Sequence, residues 1–321
     1  MTAKEQYSAF CQSHPEMPVM FQPWWLDAVC AGKQWDVLLV MRSEIRKSQG
    51  WLSRLTAKSS DAAEAAVEDD VVAVMPYMIH KRLWYNFILM PQLTWCGGVW
   101  MIQDMYGSPD LQEHLARLLA ERLRSMGIAY YLQLYPVGNP LPYWLGKLRF
   151  TTRQHVSYRL NVPNADLSWM NDDGTTVDYD MQAEEFYRFY ASCVHEEGKK
   201  PVCSREFLLV LERKARRYAQ AAILRVQENG QTIGVAFVVT DNRRMYCILQ
   251  ACPSEFAQSG APAKLARAVI RLAKDKNLEL EFCGWTDETV ILTLPGVEAC
   301  THHSAERAFK MGARLILKLF A

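Results

Sequence analysis

The clearest pattern of apolar and polar positions surrounds Gly260. Residues 245–251 are apolar, residues 261–273 carry apolar side chains every three or four positions, and residues 278–282 alternate. A period of 3.6 indicates a helix and a period of two a strand, so we predict strand, loop, helix and strand. The N–H groups of a helix N-terminus after such a loop can bind a phosphate, although many α/β proteins contain the same unit as a plain crossover.

A similar pattern occurs earlier in the chain. Residues 111–126 predict an amphipathic helix that contains Leu115-Ala116-Arg117, and the later helix contains Leu265-Ala266-Arg267 at an offset of 150 residues. The strands that follow begin at Ile128 and Leu278, again 150 residues apart. Apolar strands separated by short turns precede each helix. We therefore predict an internal repeat, with antiparallel strands first and one helical crossover after them.

Glycine and serine positions give further local predictions. Gly97 and Gly98 mark a bend or a close approach of the backbone within a β-rich region. Gly127 follows a predicted helix, where it suits the left-handed C-terminal position. Ser204 directly precedes another predicted helix and is expected to be its N-cap.

The repeat predicts an α/β fold with mixed sheets in two domains. We expect an N-terminal domain over residues 1–162 and a C-terminal domain over residues 163–321, with the polar segment 163–180 as the linker. Near the end of the chain, residues 304–311 suggest a helix. Residues 313–320 suggest a final strand that pairs with the first domain.

Composition excludes several classes of protein. Half of the 321 residues are hydrophobic and the formal net charge is +1, so global charge favours neither nucleic acid nor an acidic membrane surface. There is no apolar run long enough for a membrane span and no apolar signal core near the N-terminus. The nine cysteines are scattered, without CxxC pairs or zinc-like spacing with histidine. We expect reduced cysteines, no metal site and a cytoplasmic protein.

The order of elements narrows the fold further. A dinucleotide-binding domain begins with strand, GxGxxG and helix, and neither half does; a Walker A motif is also absent. The predicted topology resembles the GNAT acyltransferase fold, and its tandem form resembles the FemAB-like (FemABX-type) branch. Four segments carry this resemblance in order: Phe21-Gln22-Pro23-Trp24-Trp25, Tyr187 with Gly198-Lys199-Lys200-Pro201, Leu280-Glu281-Phe282-Cys283-Gly284-Trp285, and Phe309-Lys310-Met311-Gly312-Ala313.

The resemblance implies two tandem GNAT-like domains and direct acyl transfer from a CoA thioester to an amine. The acceptor would be a small molecule or a peptide, acyl-CoA would be a co-substrate, and no cofactor would stay bound. By the same resemblance, one group of residues lies along the donor and another surrounds its phosphates. The first group is Leu249, Gln250 and Ala251, and the second is Ser259, Gly260, Ala261, Ala263 and Lys264.

Other side chains have two interpretations each. Glu281 is the acid in the segment that resembles the family motif; it could act as a general base, or be a core-rim carboxylate paired with an arginine. Lys199 and Lys200 could bind an anionic acceptor or be solvated. Tyr246 and Trp285 are candidate walls of the acceptor site, with ordinary packing as the alternative.

Two other functions remain open. In the first, the donor is aminoacyl-tRNA and the acceptor a cell-wall precursor, which predicts a basic surface for the tRNA. The low net charge and the lack of arginines in segment 163–180 count against it, and we expect no other nucleic acid partner. In the second, the chain binds a ligand without catalysis. Cys283 and Trp285 replace the family's Glu and Ser, Ala257 and Pro262 depart from its phosphate loop, and these replacements favour that reading.

Overall fold

A computed structural model describes residues 1–30, 34–49, 70–170, 174–218, 220–257, 259–283 and 288–319. The chain divides into two compact units, each assembled from separate segments. The first unit comprises Met1–His14, Lys33–His155 and Thr301–Ala321. The second unit comprises Pro15–Gly32 and Val156–Cys300.

The helices of the described residues are α1 (Ala3–Ser13), α2 (Pro23–Val29), α3 (Arg42–Gln49), α4 (Gln103–Tyr106), α5 (Pro109–Ser125), α6 (Leu141–Lys147), α7 (Ala183–Glu196), α8 (Arg205–Arg217), α9 (Ala261–Asp275), α10 (Glu288–Leu292) and α11 (Ala313–Leu319). The strands are β1 (Trp35–Met41), β2 (Val71–Arg82), β3 (Tyr85–Ile88), β4 (Trp100–Met101), β5 (Ile128–Leu134), β6 (Thr151–Leu160), β7 (Thr176–Asp178), β8 (Ala221–Glu228), β9 (Gln231–Thr240), β10 (Arg244–Ala251), β11 (Glu279–Glu281) and β12 (Val297–Ala308). None of these helices has both the length and the apolar character that a membrane crossing requires.

The sheet of the first unit has the order β1-β2-β3-β5-β12, and β4 pairs with β2. Neighbouring strands are antiparallel except β3 and β5, which are parallel because α5 connects to β5 as a crossover helix. Pro109 stands in the first turn of α5, where its missing N–H is not needed, and Gly127 follows the helix with φ of 68°. The buried face of α5 includes Leu115, Leu119 and Leu123.

The sheet of the second unit has the order β6-β11-β10-β9-β8-β7. Here the parallel pair is β10 and β11, and α9 is the crossover helix between them. Leu265, Val269 and Ile270 on α9 are fully buried in the core of this unit. Burial of each such side chain contributes about 1.5–3 kcal/mol relative to an exposed one. This packing holds the N-terminus of α9 in place.

The internal repeat is confirmed by this topology. Each unit has an antiparallel meander, a crossover helix and a parallel strand, which is the mixed α/β arrangement expected from the sequence. The strand next to each crossover strand comes from the other half of the sequence. In the first unit β5 pairs with residues 304–308 of β12, and in the second unit β11 pairs with Arg159 and Leu160 of β6.

The limits of the compact units differ from a single division at residue 162. Pro15–Gly32 belongs to the second unit and Thr301–Ala321 to the first. The predicted linker, 163–180, contains β7, which pairs with β8 at the edge of the second sheet, while Asp172 and Asp173 lie outside the described residues.

Two predictions near the C-terminus are wrong, because tertiary contacts override local preference. Residues 304–311 were expected as a helix, but they lie largely in β12, whose Ser304 and Ala308 pair with Leu134 and Tyr130. Residues 313–320 were expected as a strand, but Ala313–Leu319 is the helix α11. Its alternating leucines suggested a strand, whereas Ala313, Ile316 and Leu317 form one helical face against the sheet.

Candidate functional site

The parallel strands β10 and β11 stay together over only three pairs of residues. Arg244 pairs with Glu279, and the last pair of the described residues is Tyr246 with Glu281. β10 then continues to Ala251. On its other side it pairs with β9, and the register shifts between Cys247 and Leu249, as in a β-bulge. The described pairs of β10 with β11 therefore end at Tyr246, while β10 itself continues along β9.

The predicted donor-strand residues lie on this continuation of β10. Leu249 and Ala251 are buried and pair with Phe237 and Val235 of β9, while Gln250 is half-buried. Because α9 follows β10 as a crossover helix, its N-terminus lies at the end of the sheet where β10 ends. The residues expected along the donor and those expected around its phosphates are therefore at the same end of one βα unit.

The loop before α9 ends at the N-terminus of this helix. Gly260 is the N-cap with φ of 77°, a left-handed conformation that glycine adopts without strain. Ser259 is exposed, and its hydroxyl and its N–H both donate to the carbonyl of Phe256 at 2.8 and 3.2 Å. Ala261 and Ala263 are in the first turn, where N–H groups have no intrahelical acceptor, and Pro262 between them has no N–H.

Lys264 lies in the first turns of α9 and is mostly buried. Its Nζ is 2.5 Å from Oε1 of Glu228, at the end of β8. The turn that follows Glu228 contains Asn229 and Gly230, both with positive φ, as a two-residue hairpin requires. The hairpin therefore holds Lys264 beside the helix N-terminus and offsets part of its charge.

Glu281 is buried in the last described pair of β10 and β11. Its Oε2 is 3.2 Å from Nη2 of Arg159 on β6, and its Oε1 accepts a hydrogen bond from Oγ of Ser157 at 3.4 Å. Only 5% of the Glu281 side chain and 18% of the Arg159 side chain are exposed. Burial is tolerated because the carboxylate has a charged partner. This is the arginine-paired carboxylate that the sequence offered as one of two interpretations.

A second ion pair lies on the same face of the sheet, two residues before the pair of Tyr246 with Glu281. Nε of Arg244 donates to Oε2 of Glu279 at 2.8 Å. Burial opposes the charge on Arg244, but Tyr246, Glu279 and Glu281 outweigh it and raise the pKa of the guanidinium. The hydroxyl of Tyr246 donates to Asp241 at 2.8 Å, so this buried tyrosine is fixed by a hydrogen bond.

Sequence reasoning missed Ser157, Arg159, Arg244 and Glu279. The alternation of Ser157 and Arg159 with buried Tyr158 and Leu160 is a visible strand signal. The pairing of that strand with β11, which brings arginine to Glu281, is a long-range contact that no local pattern specifies.

The other predicted residues are not brought to this row by any described contact. Lys199 and Lys200 follow α7 and are exposed, and Lys199 pairs with Glu197 at 2.7 Å. Cys283 is buried, and Trp285 lies outside the described residues.

The first unit has its own open groove, with a volume of about 800 Å³. Aromatic and basic side chains line much of it, and Nζ of Lys4 lies 4.3 Å from the ring centre of Trp35. The hydroxyl of Tyr77 lies 3.5 Å from Oδ2 of Asp36, and burial together with this carboxylate raises the pKa of Tyr77 to about 12. Over the described part of the chain, no group of His, Cys, Asp or Glu side chains could hold a metal ion.

Comparison with solved structures supports the fold. The chain is similar to FemX, with a TM-score of 0.61 and 11% identity over 94% of this chain and 96% of that one. It also matches a tandem GNAT protein from the clavulanic acid biosynthesis pathway, at 9% identity over 85% and 98% of the two chains and a TM-score of 0.45. A third match is L-PGS from Bacillus licheniformis, at 10% identity over 78% and 85% and a TM-score of 0.46.

No protein-family profile matches the sequence. No curated protein matches it either. At 11% identity the similarity to FemX concerns the fold alone, and at that level it confirms the predicted FemABX-like architecture.

Proposed function

We propose that this protein transfers an acyl group from a CoA thioester to an amine, without a covalent enzyme intermediate. The observation that carries the proposal is that β10 continues to Ala251, past its last described pair with β11, toward the N-terminus of α9. An extended thioester arm can run along such a strand, and a helix N-terminus favours phosphate. FemX-like folding of the whole chain is consistent with this placement.

In the proposed complex the donor runs past Leu249, Gln250 and Ala251. Its phosphates approach Ser259, Gly260, Ala261 and Ala263, and Lys264 adds a positive charge. Strand N–H groups donate to the thioester oxygen as the amine attacks the carbonyl carbon. The tetrahedral intermediate then expels CoA thiolate, which takes up a proton to leave as the thiol, and the product is an amide.

The amine must lose a proton during the reaction. We assign the role of acceptor for that proton to Glu281, directly or through a water molecule, because it lies in the last described pair of β10 and β11, before β10 continues past the predicted donor residues. Arg159 pairs with this carboxylate and holds it in place. Tyr246 and Trp285 would form walls of the acceptor site, and Lys199 and Lys200 would bind an anionic acceptor.

Direct transfer is consistent with the state of the nearby thiols. Cys247 is fully buried on β10, and burial raises its pKa to about 12. A thiol is nucleophilic as the thiolate, so this cysteine is a poor candidate for an acyl-enzyme. Cys283 is also buried.

The test is a thermal-shift titration with acetyl-CoA and longer acyl-CoAs. A ligand at a hundred times its Kd stabilises the folded protein by about 2.7 kcal/mol, so binding raises the midpoint of unfolding. Lys264→Gln should reduce the shift because it removes the charge beside α9. The matched control is Lys276→Gln, an exposed lysine just after the other end of α9, which should leave the shift unchanged. Absence of a shift with every acyl-CoA would overturn the proposal.

An acyl-transfer assay tests the role of Glu281 separately. Glu281→Gln should abolish most transfer while the acyl-CoA shift persists, and wild-type activity would remove Glu281 from the mechanism. A shift without transfer to any amine would favour the non-catalytic alternative.

The second candidate is transfer from aminoacyl-tRNA to a cell-wall precursor, favoured by the FemX-like fold of the whole chain. Binding of deacylated tRNA that falls steeply with salt, together with no acyl-CoA shift, would select it.

A further inference from the structure

The first unit exposes a group of large apolar side chains that lie close together. Two are at the hairpin tip between β2 and β3, where Leu83 and Trp84 are 62% and 76% exposed. Three belong to the C-terminal segment: Met311, Leu315 and Leu319 are 94%, 64% and 70% exposed. Scattered single apolar residues are normal on a protein surface, but a cluster of this kind marks an interaction site.

Helix α11 has two apolar faces. Ala313, Ile316 and Leu317 pack on the first unit's sheet. Leu315 and Leu319 are four residues apart on α11 and point away from this core, and Met311 is exposed just before the helix begins. The second face is therefore a stripe with helical spacing. Packing against the described residues of the unit does not account for it.

The hairpin tip and the start of α11 are in direct contact. The hydroxyl of Tyr85 donates to the carbonyl of Met311 at 3.0 Å, and Nζ of Lys310 lies 5.9 Å from the Tyr85 ring centre. The ring centroid of Trp84 is 6.0 Å from that of Tyr85. Leu83 lies in the tight turn between β2 and β3 and has a left-handed backbone conformation, with φ of 53°. The two exposed apolar groups thus form one continuous surface.

Basic residues flank this surface on both elements. Lys81 and Arg82 are exposed beside Leu83, and Lys310, Arg314 and Lys318 repeat every four residues beside the apolar stripe of α11. Arg314 contacts Glu306 at 3.0 Å, which offsets part of its charge. The formal net charge of the whole chain is only +1, so this concentration of positive charge is local. We call these five basic and five apolar side chains the basic-apolar surface.

We propose that the basic-apolar surface docks the protein on the face of an anionic lipid bilayer. A tryptophan at an exposed tip prefers the headgroup region, and an amphipathic helix with leucines beside lysines and arginines lies in the same plane. Negative lipid headgroups attract the flanking cations. Nucleic acid would use the positive charge but would not account for the leucine stripe. The proposal concerns the first unit and holds whichever acyl donor the second unit uses.

The test is co-sedimentation of the full chain with vesicles. One set contains phosphatidylcholine alone, and the other equal parts of phosphatidylcholine and phosphatidylglycerol. We expect binding to the anionic set that weakens in high salt. Trp84→Ser and Leu315→Ser should each reduce the partition coefficient about tenfold, because each removes a large apolar group from the interface. Lys318→Gln should reduce it about fivefold.

Matched controls come from exposed residues elsewhere in the chain. Leu292→Ser and Lys276→Gln change exposed side chains of the second unit and should leave partitioning unchanged. The midpoint of thermal unfolding should be the same for all variants, since none of these side chains is buried. Failure to bind anionic vesicles, or equal binding by Leu315→Ser and the wild type, would overturn the proposal. The proposal would also be overturned if the same substitutions reduced RNA binding or self-association but left vesicle binding unchanged.

Discussion

At the scale of single residues, the buried Arg159–Glu281 pair makes the stability of the second unit sensitive to a change of charge. Both side chains lie largely out of water, and Ser157 supplies a further hydrogen bond to the carboxylate. Removal of one partner leaves an uncompensated buried charge, which costs more than the pair itself contributes.

Arg159→Met should therefore lower the free energy of unfolding by about 3–5 kcal/mol, measured by urea denaturation at neutral pH. The matched control is Arg153→Met. Arg153 also pairs with a glutamate, Glu306, but it is 65% exposed, so the expected loss is below about 1 kcal/mol. Equal losses for the two variants would contradict the buried-pair argument, and Arg159→Met combined with Glu281→Gln should recover part of the loss.

Gly98 shows how a glycine can be required for two reasons at once. Its φ is 67°, and a Cβ placed there would lie 2.8 Å from the ring of Tyr135. The Tyr135 hydroxyl is in turn 2.7 Å from that of Tyr131, and both rings are fully buried. A methyl group at position 98 must therefore move a buried aromatic pair.

Gly98→Ala should destabilise the first unit by about 2–4 kcal/mol, the sum of left-handed strain and overpacking. Gly138→Ala is the matched control, because Gly138 has φ of 76° but nothing within 4 Å of the added Cβ. It should cost only about 1–2 kcal/mol. Thermal unfolding of both variants separates the backbone strain from the overpacking. A similar loss of stability for each would show that the Tyr135 ring moves aside without cost.

Residues that act through their neighbours in sequence were predicted well. Ser204 accepts a hydrogen bond from the N–H of Phe207 as the expected N-cap, and Gly127 has the expected left-handed conformation after α5. Glu281 shows the limit of such reasoning. Its acid character is visible in the sequence, but its partner Arg159 lies 122 residues away and reaches it only through the pairing of β6 with β11.

At the scale of elements, β7 is a short edge strand held by charge as well as by backbone pairing. Arg225 on β8 contacts Asp178 on β7 at 2.8 Å and Glu185 on α7 at 2.5 Å. The N–H of Asp180 donates to Asp178, and this bond and Arg225 together lower the pKa of the Asp178 carboxyl. The ionised carboxylate therefore stabilises the folded chain.

The sign of the pH dependence follows from the lowered pKa. The stabilisation by Asp178 is complete at pH values above its ordinary pKa of 3.8 and is lost as the pH falls through the lower pKa of the folded state. Asp178→Asn should lower the free energy of unfolding at pH 7 by up to about 1 kcal/mol, because the pair is partly exposed. The difference from the wild type should shrink in strongly acidic buffer.

Urea denaturation across this pH range measures the effect. Glu121→Gln, an exposed carboxylate on α5, serves as the control and should change stability little at any pH. A deficit of Asp178→Asn that stays constant down to low pH would contradict the electrostatic origin.

The C-terminal elements show why strand and helix were exchanged in the prediction. Residues 304–308 are rich in Ala, Glu and Arg, which favour helix, but they pair with β5 in the first sheet. Residues 313–319 alternate leucine with other residues, which favours a strand, although the buried positions fall at helical spacing. The exposed leucines of α11 produced the false alternation, and they are the same residues that form the basic-apolar surface.

At the scale of the whole molecule, the repeat was predictable because each copy keeps its elements in the same order along the chain. The set of chain segments that forms each compact unit was not predictable. Each unit takes a strand from the far half of the sequence, and Pro15–Gly32 joins the second unit although it lies near the N-terminus. Hydrophobic periodicity identifies strands but does not state which strand each one pairs with.

Division of the chain at residue 162 should therefore fail to give two independently folded fragments. Fragment 1–162 lacks the β12 residues that pair with β5 and the α11 residues that cover Phe87 and Tyr130. Fragment 163–321 lacks Arg159, the partner of buried Glu281, and also lacks α2. Each fragment exposes an edge strand that is paired in the full chain, so each should aggregate or unfold without cooperativity when expressed alone. Circular dichroism during heating measures this.

Co-expression of the two fragments is the control, because together they restore every segment of both units. We expect the co-expressed pair to copurify and to unfold cooperatively, close to the midpoint of the intact chain. A sharp unfolding transition for isolated 1–162 would mean that its sheet is stable without residues 304–308 and that the segments exchanged between the halves contribute little to it. The same measurement on 163–321 examines the second unit independently, since there the missing parts are the β6 residues that pair with β11, including Arg159, and the segment that contains α2.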